Sequence, residues 1–180
     1  MNKNNANNIK NFNYSDIKIL IFDIDGILTD GKIYMSESGE EEIKCFFAHD
    51  GAGIKLAKKF NLIVGFISAR KSLAAKKRSE ELGIDFYIEG CTDKFNSVKT
   101  ILINYGLNFQ NVFYMGDDIV DIELLKYAGL SASVPEAPVY VKNFASITAK
   151  NRGGQGAVRE MIDFILEKKG FLDELLKEFS

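Results

Sequence analysis

The sequence predicts an α/β protein with a three-layer, Rossmann-like architecture, in which a mostly parallel sheet carries helices on both faces. Short apolar runs rich in Ile, Val and Phe alternate along the chain with segments of helical periodicity. The runs "ILIF" and "LIVGFI" are apolar at consecutive positions, which is typical of parallel strands buried on both faces. The chain has 180 residues, enough for one domain with its own core.

The elements follow one another in a regular order. The first strand is expected at 16–22, where "DIKILIF" leads into the acidic stretch "DIDG". Later strands are predicted at 62–67, 85–89, 111–115, 130–134 and 146–149. Helices are predicted at 52–60, 72–83, 93–106, 121–129, near Pro138 and at 156–169. Gly83 is expected to cap the C-terminus of its helix.

One interval breaks this rhythm. Roughly 30 residues separate the first strand from the next helix, against about 2–6 for an ordinary strand–helix loop. Within it, "KIYMSESGEEEIKCF" alternates like two short strands joined at Ser38–Gly39. We therefore expect a small β-hairpin insert at about 32–47, too small to form a cap domain.

The rest of the chain is expected to form one domain at 15–170. The asparagine-rich start, residues 1–14, is typical of a disordered arm. Residues 171–180 form a C-terminal tail with apolar residues at helical spacing, which we expect to pack on its own domain or on a neighbouring subunit.

Charge and composition exclude several classes of protein. The net charge is −2 and no long basic block occurs, so we expect no nucleic-acid partner. No stretch reaches the ~20 apolar residues of a membrane span, and we expect no membrane association. Cys45 and Cys91 lack metal-ligand spacing and are interpreted as reduced thiols of a cytoplasmic protein.

Polar residues stand directly after the predicted strands. Asp23 and Asp25 follow the first strand, Ser68 the second and Asp117 the fourth, while Lys94 opens the helix after the third. Because ligands of open parallel sheets bind at the carboxyl ends of the strands, we expect these side chains to converge. Three oxygen donors without nitrogen or sulfur suit Mg²⁺, which favours phosphate as a further ligand.

This set of groups predicts phosphoryl transfer. A carboxylate beside Mg²⁺ can attack phosphorus and form an aspartyl phosphate, while a hydroxyl and a lysine stabilise the equatorial oxygens. A second acid two residues along can protonate the leaving oxygen and then activate water. Each group alone has an ordinary interpretation: a turn-forming acid pair, a hydroxyl N-cap, a surface lysine, or acids at a helix start. Only the complete set points to catalysis.

Four segments together resemble the motifs of the haloacid-dehalogenase superfamily: "DIDGILTDG", "FISAR", Lys94 and "GDDIVD". The resemblance implies that Asp23 is the nucleophile and a metal ligand, and that Asp25 is the general acid/base and binds Mg²⁺ through its backbone carbonyl. It also implies that Ser68 and Lys94 bind the phosphoryl group and that Asp117 is the third metal ligand. It gives no direct role to the acids after Asp117.

A finer resemblance is to the capless branch of this superfamily that hydrolyses 3-deoxy-D-manno-octulosonate 8-phosphate (KDO 8-phosphate). "DGILTDGKIY", "HDGAGI", "SARKS", "GCTDK" and "GGQGAVREMIDFIL" are similar to segments of that branch. The resemblance implies a Mg²⁺-dependent phosphatase of lipopolysaccharide precursor synthesis that acts on a small sugar-acid phosphate. It also implies a homotetramer whose open sites are completed by neighbouring subunits. Arg70, Lys71 and Arg78 would suit the carboxylate or phosphate of the substrate.

Other functions remain open at this point. Phosphatases of sialic-type nonulosonate 9-phosphates tend to carry an acidic residue just after the second motif, where this chain has Arg70; this favours the octulosonate. A non-catalytic phosphatase-like interaction domain should lack a catalytic residue, and none is missing here. A receiver domain would carry its acid pair after the first strand and its phosphoacceptor after a later one. Here the DxD segment with the candidate phosphoacceptor comes first and the "GDD" acid pair comes late, which argues against a receiver domain.

Overall fold

The structure is a computed structural model that describes residues 12–37 and 42–177. The strands are β1 Ile19–Phe22, β2 Tyr34–Met35, β3 Glu42–Ile43, β4 Ile63–Ile67, β5 Phe86–Ile88, β6 Val112–Met115, β7 Leu130–Ser133 and β8 Ile147–Thr148. The helices are α1 Ala48–Lys59, α2 Leu73–Leu82, α3 Lys94–Tyr105, α4 Ile122–Tyr127, α5 Val139–Lys142, α6 Ala157–Lys168 and α7 Phe171–Lys177. Short 3₁₀ turns cover Tyr14–Asp16, Phe109–Asn111 and Ile119–Asp121.

Six strands form one parallel sheet in the order β5-β4-β1-β6-β7-β8. The central strand β1 is fully buried, and its last residue, Phe22, is level with Phe66 of β4 and Met115 of β6. The residues that follow these three strands therefore emerge side by side. This is also where the strand order reverses, the usual ligand position in such sheets. The predicted α/β class and the parallel sheet are confirmed.

Alternate residues of β1 pack into two different apolar layers. Leu20 and Phe22 contact the layer that includes residues of α1 and α6. Ile19 and Ile21 contact the layer formed with α3 and α4 on the opposite face. Helices therefore cover the sheet on both sides, which explains why β1 is apolar at every position.

Some boundaries differ from the sequence-based prediction. Helix α1 begins at Ala48 rather than at residue 52, and its N-cap, Phe47, provides no capping side chain. The sequence therefore carries no start signal of the usual kind at this point. Helix α2 ends as predicted, at Gly83 in the left-handed conformation with φ +62°.

The hairpin is present, and β2 and β3 pair antiparallel; the predicted turn at Ser38–Gly39 lies outside the described residues. Most of the predicted arm, residues 1–11, also lies outside them. The arm's last residues are ordered, because Phe12 packs edge-on against Tyr14, which packs edge-on against Phe164.

The predicted C-terminal tail contains helix α7. Its first residue, Phe171, stacks on Phe60 with ring centroids 4.7 Å apart, and Leu175 is buried. Over the described residues the tail therefore packs on its own domain. None of the helices in 12–37 and 42–177 is both long and apolar enough to cross a bilayer.

Candidate active site

The two acids after β1 occupy a tight turn at the edge of the sheet. Asp23 is buried, and its backbone N–H donates to the carbonyl of Met115 at 2.9 Å, which continues the pairing of β1 with β6. Gly26 has φ +87°, and a Cβ at this position would lie 2.0 Å from Oδ2 of Asp117. Only glycine allows this turn and the close approach of Asp117. The first and fourth motifs therefore meet at Gly26.

Asp121 holds the loop after β6 in place. It is completely buried, and its Oδ1 accepts hydrogen bonds from the Tyr114 hydroxyl at 2.5 Å and from Lys94 at 2.7 Å. Its Oδ2 accepts the backbone N–H groups of Asp117 and Asp118, each at 3.0 Å. With four donors, this carboxylate is saturated. Sequence reasoning gave Asp121 no direct role, and the structure shows that it positions both Lys94 and the Asp117 backbone.

Lys94 connects Asp23 to this loop. It is the first residue of α3, it is buried, and its Nζ lies 2.9 Å from Asp23 Oδ1 and 2.7 Å from Asp121 Oδ1. Burial opposes the ammonium charge, but the two carboxylates outweigh this effect and raise the pKa of Lys94. The residue therefore presents a fixed positive charge at Asp23.

Asp23, Asp117 and Asp121 form the acidic cluster that could hold a metal ion, with one oxygen of each within 4.8 Å of the others. Asp121 is saturated by its donors, whereas Oδ1 of Asp117 is buried and has no hydrogen-bond partner among the described residues. A cation between Asp23 and Asp117 would satisfy this oxygen. The all-oxygen donor set fits a hard divalent ion such as Mg²⁺.

The electrostatics of the two acids agree with a cation site. Burial raises the pKa of Asp117 to about 8, with further contributions from the negative charges of Asp23 and Asp121. Burial likewise raises the pKa of Asp23 to about 7; Asp121 adds to the shift, and Lys94 opposes it. Carboxylates this close repel one another unless a proton or a cation lies between them.

Ser68 lies at the end of β4, as predicted, and is buried. Its backbone N–H donates to the carbonyl of Ile88 at 2.8 Å, and its hydroxyl accepts the N–H of Arg70 at 3.1 Å. These bonds fix the second-motif loop beside Asp23. The hydroxyl donates to none of the described residues, so its hydrogen can bond to a ligand.

The predicted catalytic and metal-ligating residues line one open cavity of about 270 Å³. Among its walls are Asp23, Asp25, Ser68, Arg70, Lys94 and Asp117. A second cavity of about 340 Å³ borders the first and shares Gly31 and Asp117 with it. The structure thus brings together the whole catalytic set expected from the sequence.

The three predicted substrate-binding cations lie in different places. Arg70 lies at the cavity, where its Nη2 donates to Glu42 at 3.1 Å and its Nε is 3.8 Å from Asp25 Oδ2. The stem of Lys71 lies against Gly90 instead. Arg78 pairs with Glu81 at 2.7 Å and lines a separate cavity of about 270 Å³ between α1 and α2. A single chain therefore brings only Arg70 to the catalytic cavity.

Sequence reasoning missed two residues of the hairpin. The side chain of Lys44 is 1% exposed, and its Nζ contacts Oδ1 of Asp25 and Oε1 of Glu42. Glu42 also accepts the bond from Arg70. The one available signal is the alternation in "EIKC", where the charged residues turn towards the site while Ile43 and Cys45 are exposed.

Comparison with known proteins identifies the class. Residues 73–162 match the family model of haloacid dehalogenase-like hydrolases. The KDO 8-phosphate phosphatase of Haemophilus influenzae is 37% identical over 155 residues, which are 86% of each chain. The chain therefore belongs to the haloacid dehalogenase-like hydrolases and, within them, to the KDO 8-phosphate phosphatase family.

Solved structures agree with this assignment. The KDO 8-phosphate phosphatase of Moraxella catarrhalis, in complex with magnesium, phosphate and KDO, is 29% identical with a TM-score of 0.90, and the similarity covers 100% of both chains. The cobalt-bound enzyme of Haemophilus influenzae is 36% identical with a TM-score of 0.83, over 87% of this chain and 91% of that one. The resemblance noted from the four motifs is confirmed.

Proposed function

We propose that this chain is a Mg²⁺-dependent phosphatase that hydrolyses KDO 8-phosphate to KDO and phosphate through phospho-Asp23. The observation that carries the proposal is the contact between the buried Asp23 and Lys94, beside an oxygen of Asp117 that has no hydrogen-bond partner among the described residues. Family membership and the magnesium, phosphate and KDO bound to the Moraxella catarrhalis relative support it.

The first half-reaction forms the aspartyl phosphate. A carboxylate oxygen of Asp23 bonds to phosphorus as the bond to the sugar oxygen breaks, and Asp25 gives its proton to that oxygen. Lys94 and Ser68 stabilise the equatorial phosphoryl oxygens. Asp23, Asp117 and the Asp25 backbone carbonyl would hold Mg²⁺, and the ion would supply positive charge against the phosphoryl group.

The second half-reaction restores Asp23. A water oxygen bonds to phosphorus, its proton passes to the Asp25 carboxylate, and the bond from Asp23 to phosphorus breaks. Phosphate leaves, and Asp25 again carries the proton for the next turnover. Asp25 thus acts first as an acid and then as a base, which requires a well-defined position for its side chain.

The substrate is a sugar acid with both phosphate and carboxylate groups. Arg70, which lines the cavity, supplies a cation where nonulosonate phosphatases tend to carry an acid, which favours the eight-carbon substrate. Lys71 and Arg78 would contact a substrate only if that substrate were bound at a neighbouring subunit. A nonulosonate 9-phosphate is the alternative substrate, and a non-catalytic interaction domain is disfavoured because the catalytic set is complete.

A homotetramer would complete this open cavity. The hairpin exposes apolar side chains on both of its faces: Tyr34 and its cross-strand partner Ile43 are 46% and 64% exposed on one face, and Met35 is 64% exposed on the other. Adjacent exposed apolar residues commonly mark protein interfaces. The variant Ile43→Asp should shift the mass measured by light scattering from tetramer towards monomer, and a wild-type monomer at working concentration would contradict the proposal.

The cytoplasmic location suggested by the reduced cysteines stays a prediction.

Phosphate release tests the activity. The purified protein is assayed with KDO 8-phosphate, a nonulosonate 9-phosphate and a simple sugar phosphate, with Mg²⁺ and with EDTA. We expect the highest kcat/KM with KDO 8-phosphate and no turnover with EDTA. Asp23→Asn should abolish turnover without changing the circular dichroism spectrum. Turnover by Asp23→Asn would contradict the mechanism, and equal rates on the first two substrates would contradict the substrate assignment.

A further inference from the structure

The ammonium group of Lys44 lies against the acid/base residue of the proposed reaction. We propose that Lys44 is a positioning residue: it holds the Asp25 carboxylate by one oxygen, so that the other oxygen carries the proton to and from the reacting groups. The β-hairpin then contributes a functional residue to the active site. This inference rests on the proposed function of Asp25.

Burial indicates that the Lys44 contact is more than a surface ion pair. The Lys44 side chain is 1% exposed, whereas that of Asp25 is 24% exposed. Surface pairs are worth little because both partners remain solvated, but a buried ammonium must keep its carboxylate partners. Lys44 has two, Asp25 and Glu42, so its head group is fixed between the hairpin and the catalytic turn.

The contacts distinguish the two oxygens of Asp25. Lys44 contacts Oδ1. Oδ2 lies 3.8 Å from the Nε of Arg70, beyond hydrogen-bond distance, and accepts no hydrogen bond from the described residues. Oδ2 is therefore the oxygen available for proton transfer. Glu42 links the two cations, since it contacts Lys44 and accepts a bond from Arg70.

Lys44 acts through Asp25 rather than on the phosphoryl group. It is not among the described residues that line the catalytic cavity, while Asp25, Arg70 and Lys94 are. In the first half-reaction the proton on Oδ2 passes to the leaving oxygen, and the carboxylate that remains is paired with Lys44. In the second, Oδ2 takes a proton from water and the pair is kept.

The proposal predicts a dependence on the leaving group. A sugar alkoxide needs a proton from Asp25 to leave, whereas p-nitrophenolate leaves without one. We expect Lys44→Met to slow single-turnover KDO release from KDO 8-phosphate by about 10²-fold, within the range of general acid catalysis. The burst of p-nitrophenolate from p-nitrophenyl phosphate should stay within about threefold of wild type, because it precedes the step that needs the base.

The matched control is Lys58→Met. Lys58 also pairs with a carboxylate, Asp85, at 2.8 Å, but it lies in α1 away from the catalytic cavity. This control should leave both rates unchanged. If Lys44→Met does not fold, Lys44→Gln replaces it, because Gln keeps a polar group at the buried position. The same changes in the two rates are expected. Equal slowing of both substrates, or no slowing of either, would overturn the proposal.

A double-mutant cycle separates positioning from a general structural effect. In the Asp25→Asn background, Lys44→Met should have no further effect on KDO release, because the group that it positions is gone. Full additivity would assign Lys44 a role independent of Asp25 and refute the proposal. If wild type releases no phosphate from KDO 8-phosphate or the other sugar-acid phosphates, the proposed function itself fails. An active wild type with unaffected Lys44 variants rejects this inference alone.

Discussion

The Nζ of Lys94 lies 2.9 Å from Oδ1 of Asp23, although the two residues follow different strands of the sheet and are 71 positions apart in sequence. Asp121 fixes the lysine from the other side at 2.7 Å. The three side chains are all buried. The carboxylate proposed as the nucleophile is thus held by a positive charge whose own position is determined by a second carboxylate.

Removal of this charge should affect both stability and catalysis. Lys94→Met would leave Asp23 and Asp121 buried and facing each other without a cation. Breaking a buried ion pair in this way costs about 3–5 kcal/mol. We expect a lower free energy of unfolding in urea titrations without metal and at least a 10²-fold loss of kcat, since charge stabilisation at the phosphoryl group is lost as well.

Lys58→Met is again the control, because its pair with Asp85 is partly solvated. It should change the free energy of unfolding by less than about 1 kcal/mol and leave kcat unchanged. A Lys94→Met protein with wild-type kcat would show that the Asp23–Lys94 contact has no part in the reaction.

Metal binding should release protons. In the metal-free protein the pKa of Asp117 is about 8 and that of Asp23 about 7, so both acids are partly protonated near neutral pH. Mg²⁺ requires the carboxylates and displaces these protons. Calorimetric titration with Mg²⁺ in buffers of different ionisation enthalpy should therefore reveal net proton release, and Mg²⁺ affinity should rise with pH until about pH 8. Affinity independent of pH would contradict the raised pKa values.

The same shifts give the pH dependence of stability a defined sign. Because these pKa values are higher in the folded than in the unfolded state, the native protein binds more protons between about pH 4 and about pH 8. Without metal, the contribution of these acids to stability therefore falls as pH rises through this window. Asp117→Asn should show a smaller fall in melting temperature between about pH 6 and about pH 9 than wild type, and saturating Mg²⁺ should flatten the wild-type curve.

Much of the site can be predicted from the sequence, for a physical reason. Strands β1, β4 and β6 are parallel neighbours in register, so residues that follow them in sequence must meet in space. This rule alone brings Asp23, Ser68 and Asp117 to one edge. It requires only the positions of the strand ends, which the apolar runs mark clearly.

The residues that the sequence did not reveal depend on tertiary packing. Lys44 reaches Asp25 only because the hairpin folds back over the sheet edge, and no local periodicity encodes that docking. Asp121 has the sequence context of an ordinary acid in the first turn of a helix. Its burial against Tyr114 and Lys94 makes it a central hydrogen-bond acceptor. Such roles follow from the environment of a residue rather than from its type.

Gly26 should be needed for metal binding as well as for the turn. At Gly26→Ala the new Cβ would enter the position of the Asp117 carboxylate, 2.0 Å from its Oδ2, in addition to the strain of φ +87°. Gly83→Ala is the matched control, because it has φ +62° but no described atom within 4 Å of the added Cβ. Both variants should lose about 1–2 kcal/mol of stability through backbone strain. Only Gly26→Ala should also lose Mg²⁺ affinity and turnover, and equal Mg²⁺ affinities would contradict this account.

Asp50 should stabilise the fold by capping another helix. Helix α6 begins after Gly156, which has no side chain with which to cap its N-terminus, and the buried Asp50 of α1 instead accepts the N–H of Arg159 at 2.7 Å. Burial raises the pKa of Asp50, and the bonds from the start of α6 oppose this shift. Asp50→Ala should lower the free energy of unfolding by about 1–3 kcal/mol, the cost of unsatisfied buried donors. Asp50→Asn keeps an accepting oxygen and should lose less. Chemical denaturation of both variants measures the difference, and equal losses would show that the negative charge, rather than the hydrogen bond, holds α6 in place.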